Sequence, residues 1–460
     1  MRIAFALLLV FCLWLQPAPA LCFFLGGVSL KDEKAMGRKF DVMVRSHMPM
    51  IEDPEVKAYV NGLVNRLTRA MPPQPFEFST SVALHPALNA FAVPGGYVCV
   101  FSGLIMNLDN EAELAGVLSH ELAHVTQRHV AARLERAQYL SLGALLAGVA
   151  GIAIGGPAGA AAAITAAGAS QSAMLSYSRL DESEADHIGL QYLSAAGYPA
   201  SGMTGGFKVL RKKSWLSGIS APTYLSTHPA IGDRINSLDA KIAAMPANRK
   251  NATLDNRRFQ RVKTLLWARY GDAQAALQRF SGKDALSLMG RGIVLSRLNR
   301  LPEAQASFAA AMQKSPNDPL VLRESGIFHY RKGDSAKAEA LLTQAMRLDP
   351  KDYMASFFYA RLLDETGRAR QADPHYREVL RHVPQDPEVH QAFARSLGRS
   401  GDQYRAYVHL TYASLYANDR RQAQRHLEQA RKLAESSNDK RPFQKLEAAF
   451  KERKEIWDKS

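Results

Sequence analysis

Apolar residues return at helical spacing behind Asn110-Glu111-Ala112-Glu113. Leu114, Val117, Leu118, Leu122 and Val125 follow that N-cap signal, which predicts a helix over this stretch. Just upstream the pattern is that of extended chain: Asn89 to Val93 and Tyr97 to Phe101 are β-prone runs separated by Pro94-Gly95-Gly96, and they predict a hairpin close to the helix. Ala137 to Ser178 holds no charged residue and divides at Gly155-Gly156-Pro157 into two alanine-rich legs of 16 residues, Tyr139 to Ile154 and Ala158 to Ala173. At about 1.5 Å per residue such a leg falls short of a roughly 30 Å hydrocarbon core. A helical hairpin packed beside or over the active site is therefore the first reading, peripheral membrane contact the second and a transmembrane pair the third.

Beyond about residue 255 the pattern acquires a long period. Pro316, Pro350 and Pro384 stand 34 residues apart, as do Ala304, Ala338, Ala372 and Ala406, and Phe308, Leu342, Tyr376 and Leu410 follow at the same interval. This is the tetratricopeptide period, with small residues where the two helices of a repeat meet and proline closing the second helix. Repeats start near Ala285, Pro319, Tyr353 and Pro387, and helix-rich segments at Arg257 to Phe280 and Arg420 to Lys432 cap the array. Such a solenoid offers a concave surface to peptides or partner proteins and performs no chemistry of its own.

A chain of 460 residues is too long for one core. Its formal charge of +15 raises the question of nucleic acid, but no stacking-aromatic or glycine-rich nucleic-acid motif is present, so no nucleic-acid partner is expected. Basic runs such as Arg368 to Arg381 read as solvated helix faces, with an anionic membrane surface or acidic clients as the second reading. Met1-Arg2, the apolar stretch Ile3 to Leu15 and Ala18-Pro19-Ala20 form a cleavable export signal over residues 1–20. Leu21 before Cys22 disfavours lipidation, and Cys22 with Cys99 is too little for a disulfide framework. Export with few cysteines fits the periplasm.

Chemistry is concentrated in His120-Glu121-Leu122-Ala123-His124. Two histidines at i and i+4 lie within roughly 40° on a helix and can share a Zn²⁺, with the glutamate between them as general base for the water the metal activates. On the same helical wheel His129 falls on the face opposite His120, which makes it a solvent histidine. A catalytic zinc needs a third protein ligand, and Val130 occupies the position a metzincin would give to histidine. Arg179 to Asp186 supplies candidates: Glu182 and Asp186 are i and i+4 on a second predicted helix, so one can bind metal while the other orients a histidine ligand. Spacing alone does not choose Glu182 over Glu184. The Pro229 step puts His228 in an extended loop, from which it approaches the zinc as an electrophile or as a removable fourth ligand.

Four blocks in order, Asn89 to Leu104, His120 to His124, Glu182 to Asp186, and Thr227-His228-Pro229 with Arg234-Ile235, resemble the HtpX and CAAX-prenyl-protease family of gluzincin metallopeptidases. The resemblance implies one Zn²⁺ per chain held by His120, His124 and Glu182, with Asp186 as the outer partner and Glu121 as the catalytic base. It also gives His228 and Arg234 a role in stabilising the tetrahedral intermediate or covering the site. The Asn89, Ala90 and Phe91 edge would bind extended, unfolded substrate by backbone hydrogen bonds. The fold class expected is mainly α: a zincin-like metallopeptidase domain with a small β-hairpin or sheet over 21–250, then an α-solenoid of tetratricopeptide repeats over 251–460. Signal, peptidase and repeats together resemble the periplasmic β-barrel assembly-enhancing proteases. That implies an endopeptidase acting on unfolded or misassembled proteins in outer-membrane protein assembly and quality control, with the repeats docking the assembly machinery. The alternative is a chaperone or adaptor whose repeats bind assembly partners while the zinc site is latent.

Overall fold

The computed structural model describes residues 28–136, 177–216, 223–246 and 254–458. The export signal, Cys22 and nearly all of the uncharged stretch 137–178 lie outside the described residues. Among those described, no helix is long and apolar enough to cross a membrane.

The first part runs α1 (Leu30–His47), α2 (Pro54–Thr68), β1 (Ser79–Ala83), β2 (Ala90–Val93), β3 (Tyr97–Phe101), α3 (Ser102–Asn107), α4 (Glu111–Thr126) and α5 (His129–Arg136). It continues with α6 (Arg179–Ala195), α7 (Ser201–Leu216), α8 (Thr223–Thr227) and α9 (Ile231–Ala243). The predicted hairpin is β2 and β3, antiparallel, joined through Gly95 and Gly96, whose φ of 84° and 85° only glycine adopts freely. β3 also pairs in parallel with β1, a strand the sequence reading does not contain, so the sheet order is β1-β3-β2. Alternation sorts its two faces. Val82, Ala90, Ala92, Val98 and Val100 join the main core with α2 and α4, while Ala83, Val93, Tyr97, Cys99 and Phe101 are roofed by Phe40 and Val44 of α1.

The 34-residue period is realised as helix pairs. After α10 (Arg257–Tyr270) and α11 (Ala273–Arg279) come α12 (Ala285–Arg297) with α13 (Leu301–Lys314), α14 (Pro319–Lys332) with α15 (Ser335–Leu348), α16 (Tyr353–Glu365) with α17 (Ala369–His382), and α18 (Pro387–Arg399) with α19 (Gln403–Tyr416). α20 (Arg420–Glu435) and α21 (Arg441–Trp457) close the array. Asp284, Asp318, Asp352 and Asp386 cap the first helix of successive repeats, each carboxylate accepting from backbone N–H groups two or three residues on. Ala304, Ala338, Ala372 and Ala406 are buried where paired helices meet.

The sequence boundary between 250 and 251 falls among residues outside the described ones, and the helices beyond it are not a separate body. One apolar core runs from Ile51 through α10 and the first repeat to Phe328. Phe259 packs on Tyr59 with ring centres 6.3 Å apart, and Trp267 Nε1 donates to the Met106 carbonyl at 2.9 Å. Beneath lies a charged hub: buried Arg323 donates to Asp53 (2.9 Å), Glu324 (2.8 Å) and Asp352 (3.1 Å), while Arg269 donates to Asp53 (2.8 Å) and Glu324 (2.6 Å).

Candidate metal centre

α4 carries the pentapeptide into the interior: His120, Glu121 and His124 are all buried, because both neighbouring helices press on it. α6 crosses it at Gly189, where a Cβ would meet Ser119 O at 2.9 Å and His120 Cα at 3.0 Å. That close approach, on the same helical face as Glu182, Ala185 and Asp186, delivers the two carboxylates to the histidines. His228 arrives from the end of α8, its N–H held by the Tyr224 carbonyl at 2.9 Å.

One donor atom each from His120, His124, Glu182 and His228 lies within 4.8 Å of the others. His120 Nε2 and His124 Nε2 face each other at 3.0 Å, His228 Nδ1 is 3.3 Å from His120 Nε2 and 2.9 Å from Glu182 Oε1, and His124 Nε2 is 3.5 Å from Glu182 Oε1. Asp186 Oδ1 lies 3.0 Å from His120 Nδ1. Burial drives the cationic form of His120 down to about 4, with Arg234 adding to the shift, and lowers His124 well below its usual range. Both imidazoles are thus neutral, with lone pairs available. The Glu182 carboxyl is held below the usual range by His228 and His124 against the cost of burial. Converging imidazole lone pairs and an ionised carboxylate in a dry site are a donor set that fits a divalent cation of the zinc type.

Glu121 sits beside this set, its Oε1 3.6 Å from His228 Nε2. That oxygen is buried, and the Tyr224 hydroxyl lies next to the same carboxyl. Burial, opposed by His228, pushes the Glu121 carboxyl up to about 7. Tyr224 stacks on His228 at 4.3 Å and Tyr177 on His124 at 3.7 Å, two aromatic walls the sequence reading missed. Tyr224 lies one helical turn ahead of His228, and that spacing was the available signal.

Several assignments change. His129 is not a solvent histidine: it is 4% exposed, and its Nδ1 is 2.8 Å from His124 Nδ1. The helical wheel misplaces it because α4 ends at Thr126 and Arg128, with φ 55°, turns the chain back before α5 begins. Arg234 grips Asp186 in bidentate fashion (2.7 and 2.8 Å), is ion-paired to Glu182 and has its Nη2 3.3 Å from His120 Nε2, so it reaches the donor cluster and fixes the carboxylates there. Among the substrate-edge candidates, Asn89 is buried, with its carbonyl accepting from Phe101 N–H at 3.0 Å, and Ala90 faces the core. Phe91 points to the α1 side, packed between Phe40 (5.2 Å) and Phe101 (5.8 Å). Its side chain is core, and only the backbone edge of β2 is left for a substrate.

Residues 50–242 match Peptidase family M48, and residues 329–396 match Tetratricopeptide repeat. The chain carries a peptidase family M48 domain. All four donors, Glu121 and Arg234 lie inside that M48 domain. Over 280 residues the chain is 31% identical to the beta-barrel assembly-enhancing protease of Yersinia pestis, covering 59% of this chain and 55% of the relative. Over 217 residues it is 33% identical to the protein of that name in Escherichia coli K12, covering 45% and 43%. The chain spans about half the length of the curated relatives it matches. A solved structure described as YrrB, a TPR protein with an unusual peptide-binding site, is 16% identical, covers 37% of this chain and 91% of its own, and has a TM-score of 0.30.

Proposed function

We propose that this protein is a zinc-dependent endopeptidase that cuts unfolded or misassembled proteins in the service of outer-membrane protein assembly. The observation that carries the reading is the buried Glu121 carboxyl beside four converging donors inside an M48 domain. His120, His124 and Glu182 would hold the ion, with Asp186 and Arg234 fixing His120 and Glu182. A zinc ion held there would supply Lewis acidity, polarising a scissile carbonyl and lowering the pKa of water so that a hydroxide-like nucleophile is available at neutral pH. Glu121 Oε1, placed at the edge of the donor cluster 3.6 Å from His228 Nε2, takes the proton from the attacking water and returns it to the nitrogen of the leaving amine. The outer edge of β2, with no further strand paired to it among the described residues, would accept an extended peptide by backbone hydrogen bonds. The apolar leader supports export to the periplasm, and the repeats supply a surface for clients or for assembly machinery.

His228 favours a second, compatible reading. With its Nδ1 beside the other donors it would complete a four-donor protein set, and a cation held by all four would lack the open position that water or substrate needs. The site as arranged is then latent, and His228 must leave it for catalysis.

The test is cleavage of an unfolded protein by zinc-loaded wild type, Glu121→Gln and His228→Ala. Chelator-sensitive cleavage by wild type that Glu121→Gln loses by at least about 10²-fold, with zinc retained, supports the mechanism. Undiminished cleavage by Glu121→Gln overturns it. A His228→Ala protein with basal activity and zinc affinity both unchanged removes the latency reading. Full rescue of a deletion strain by Glu121→Gln would favour the chaperone or adaptor alternative.

A further inference from the structure

A hydrogen-bond chain leaves the donor cluster on the His124 side, and proton counting fixes its direction. A neutral histidine that offers its Nε2 lone pair to a metal carries its proton on Nδ1. In His124, Nε2 is the atom turned to the cluster, and Nδ1 lies 2.8 Å from Nδ1 of His129. His124 Nδ1–H must donate and His129 Nδ1 must accept. With that lone pair engaged, a neutral His129 carries its own proton on Nε2, which lies 3.2 Å from Glu184 Oε2, an acceptor. Each proton in the chain has one place to be.

We propose that His129 and Glu184 are positioning residues for His124, acting as a relay that locks its ring and tautomer and strengthens its Nε2 as a donor to a divalent cation. The inference rests on the reading of His120, His124 and Glu182 as metal donors. Three features of the fold build the relay. Arg128 takes a left-handed conformation, costly for a side chain of its size, and is tied down by Glu33 of α1, whose Oε1 accepts from its Nε at 2.8 Å. That turn starts α5 at His129 and brings its ring back beneath α4. Tyr177 stacks on His124 and is itself covered by Arg133 of α5 at 3.9 Å, so the histidine end of the relay is walled from water. At the far end Glu184 is 55% exposed, two residues beyond Glu182 on the same helix. The two α4 histidines are thus buttressed differently, His120 directly by Asp186 and His124 through a histidine to a carboxylate at the surface.

Cobalt(II) serves as the probe, titrated into the metal-free full-length chain against a competing chelator, with its visible spectrum recorded. His129→Ala is expected to weaken cobalt binding by about 10–100-fold and to alter the spectrum. His129→Asn, whose Oδ1 can still accept from His124, recovers part of the loss. Glu184→Ala weakens binding in the same direction while the metal-free protein melts as wild type does, because the residue is half out in solvent. If His129→Ala fails to fold, Glu184→Ala and the imidazole ¹H–¹⁵N spectrum of the zinc-loaded wild type decide. That spectrum should place protons on His124 Nδ1 and His129 Nε2. Wild-type affinity and spectrum in Glu184→Ala and His129→Ala overturn the relay, as does a proton on His129 Nδ1. A folded wild type that takes up no cobalt overturns the donor assignment itself, and the relay with it.

Discussion

His390 and His409 face each other in the repeat array with their Nδ1 atoms 2.8 Å apart, and His390 gives its Nε2 proton to the Pro384 carbonyl at 3.0 Å. Tyr412 stacks on His390 at 4.9 Å and Phe393 lies 4.6 Å from His409, while Arg405 and Arg377 add positive charge near His409. Burial lowers His390 to about 4 and His409 well below its usual range, so both are neutral in the folded protein at pH 7. An unfolded histidine titrates near 6.5. Between about 6.5 and 4 the unfolded chain binds protons that the folded one refuses, so stability is full above that window and falls as pH drops through it. Thermal unfolding at pH 7, 6 and 5 should show a loss of roughly a few kcal/mol, and His390→Phe should flatten the dependence. An unchanged midpoint from pH 7 to pH 5 in wild type would refute it. The residue level is also where sequence reading was weakest. Nothing in the spelling of residues 126–129 announces that Arg128 reverses the chain, and so a buried partner of His124 was placed on the outside.

Helix crossings decide whether the donors meet. Glu182 is separated from His120 by a long excursion of chain, and the two come together because α6 lies directly on the backbone of α4 at Gly189. Gly189→Val should force the helices apart, costing about 1–3 kcal/mol, and should lower zinc occupancy far more than a surface substitution in the repeats such as Lys432→Gln. Equal metal content in Gly189→Val and wild type, measured on purified protein, would disprove this. Elements with local causes were legible in the sequence: the repeat helices, capped by aspartates at a constant interval, and the β2–β3 hairpin, turned by two glycines. β1 was not, because its Ser79-Thr80-Ser81 half lacks an apolar run and its strand character comes from pairing with β3 across a chain gap. Tyr177 and Tyr224 were likewise invisible, their value set by which rings they meet.

The junction between the M48 domain and the repeats is welded at the scale of the whole molecule. Arg323, 1% exposed, bridges Asp53 at the cap of α2, its neighbour Glu324 and Asp352 at the cap of α16. Removing one member of a buried charge network costs about 3–5 kcal/mol, because its partners stay buried without compensation. Arg323→Ala should therefore split a single denaturant transition into two, with the repeats loosening first. A single transition at the wild-type midpoint would show that the hub contributes nothing. The sequence divides this molecule at residue 250 on composition, whereas its packing does not divide there: Phe259, Leu266, Leu295 and Phe328 belong to the same core as Val60 and Leu118.

That shared core sets an order of events for a chain made from its amino terminus. Every donor of the metal cluster has been synthesised by residue 228, yet the apolar residues that finish the floor beneath α2 and α3 arrive only with α10 and the first two repeats. A nascent chain holding the complete HExxH and the third candidate ligand, Glu182, still lacks part of the core that the finished fold packs beneath them. The interior around the cluster is thereby completed only once the repeats have begun to fold.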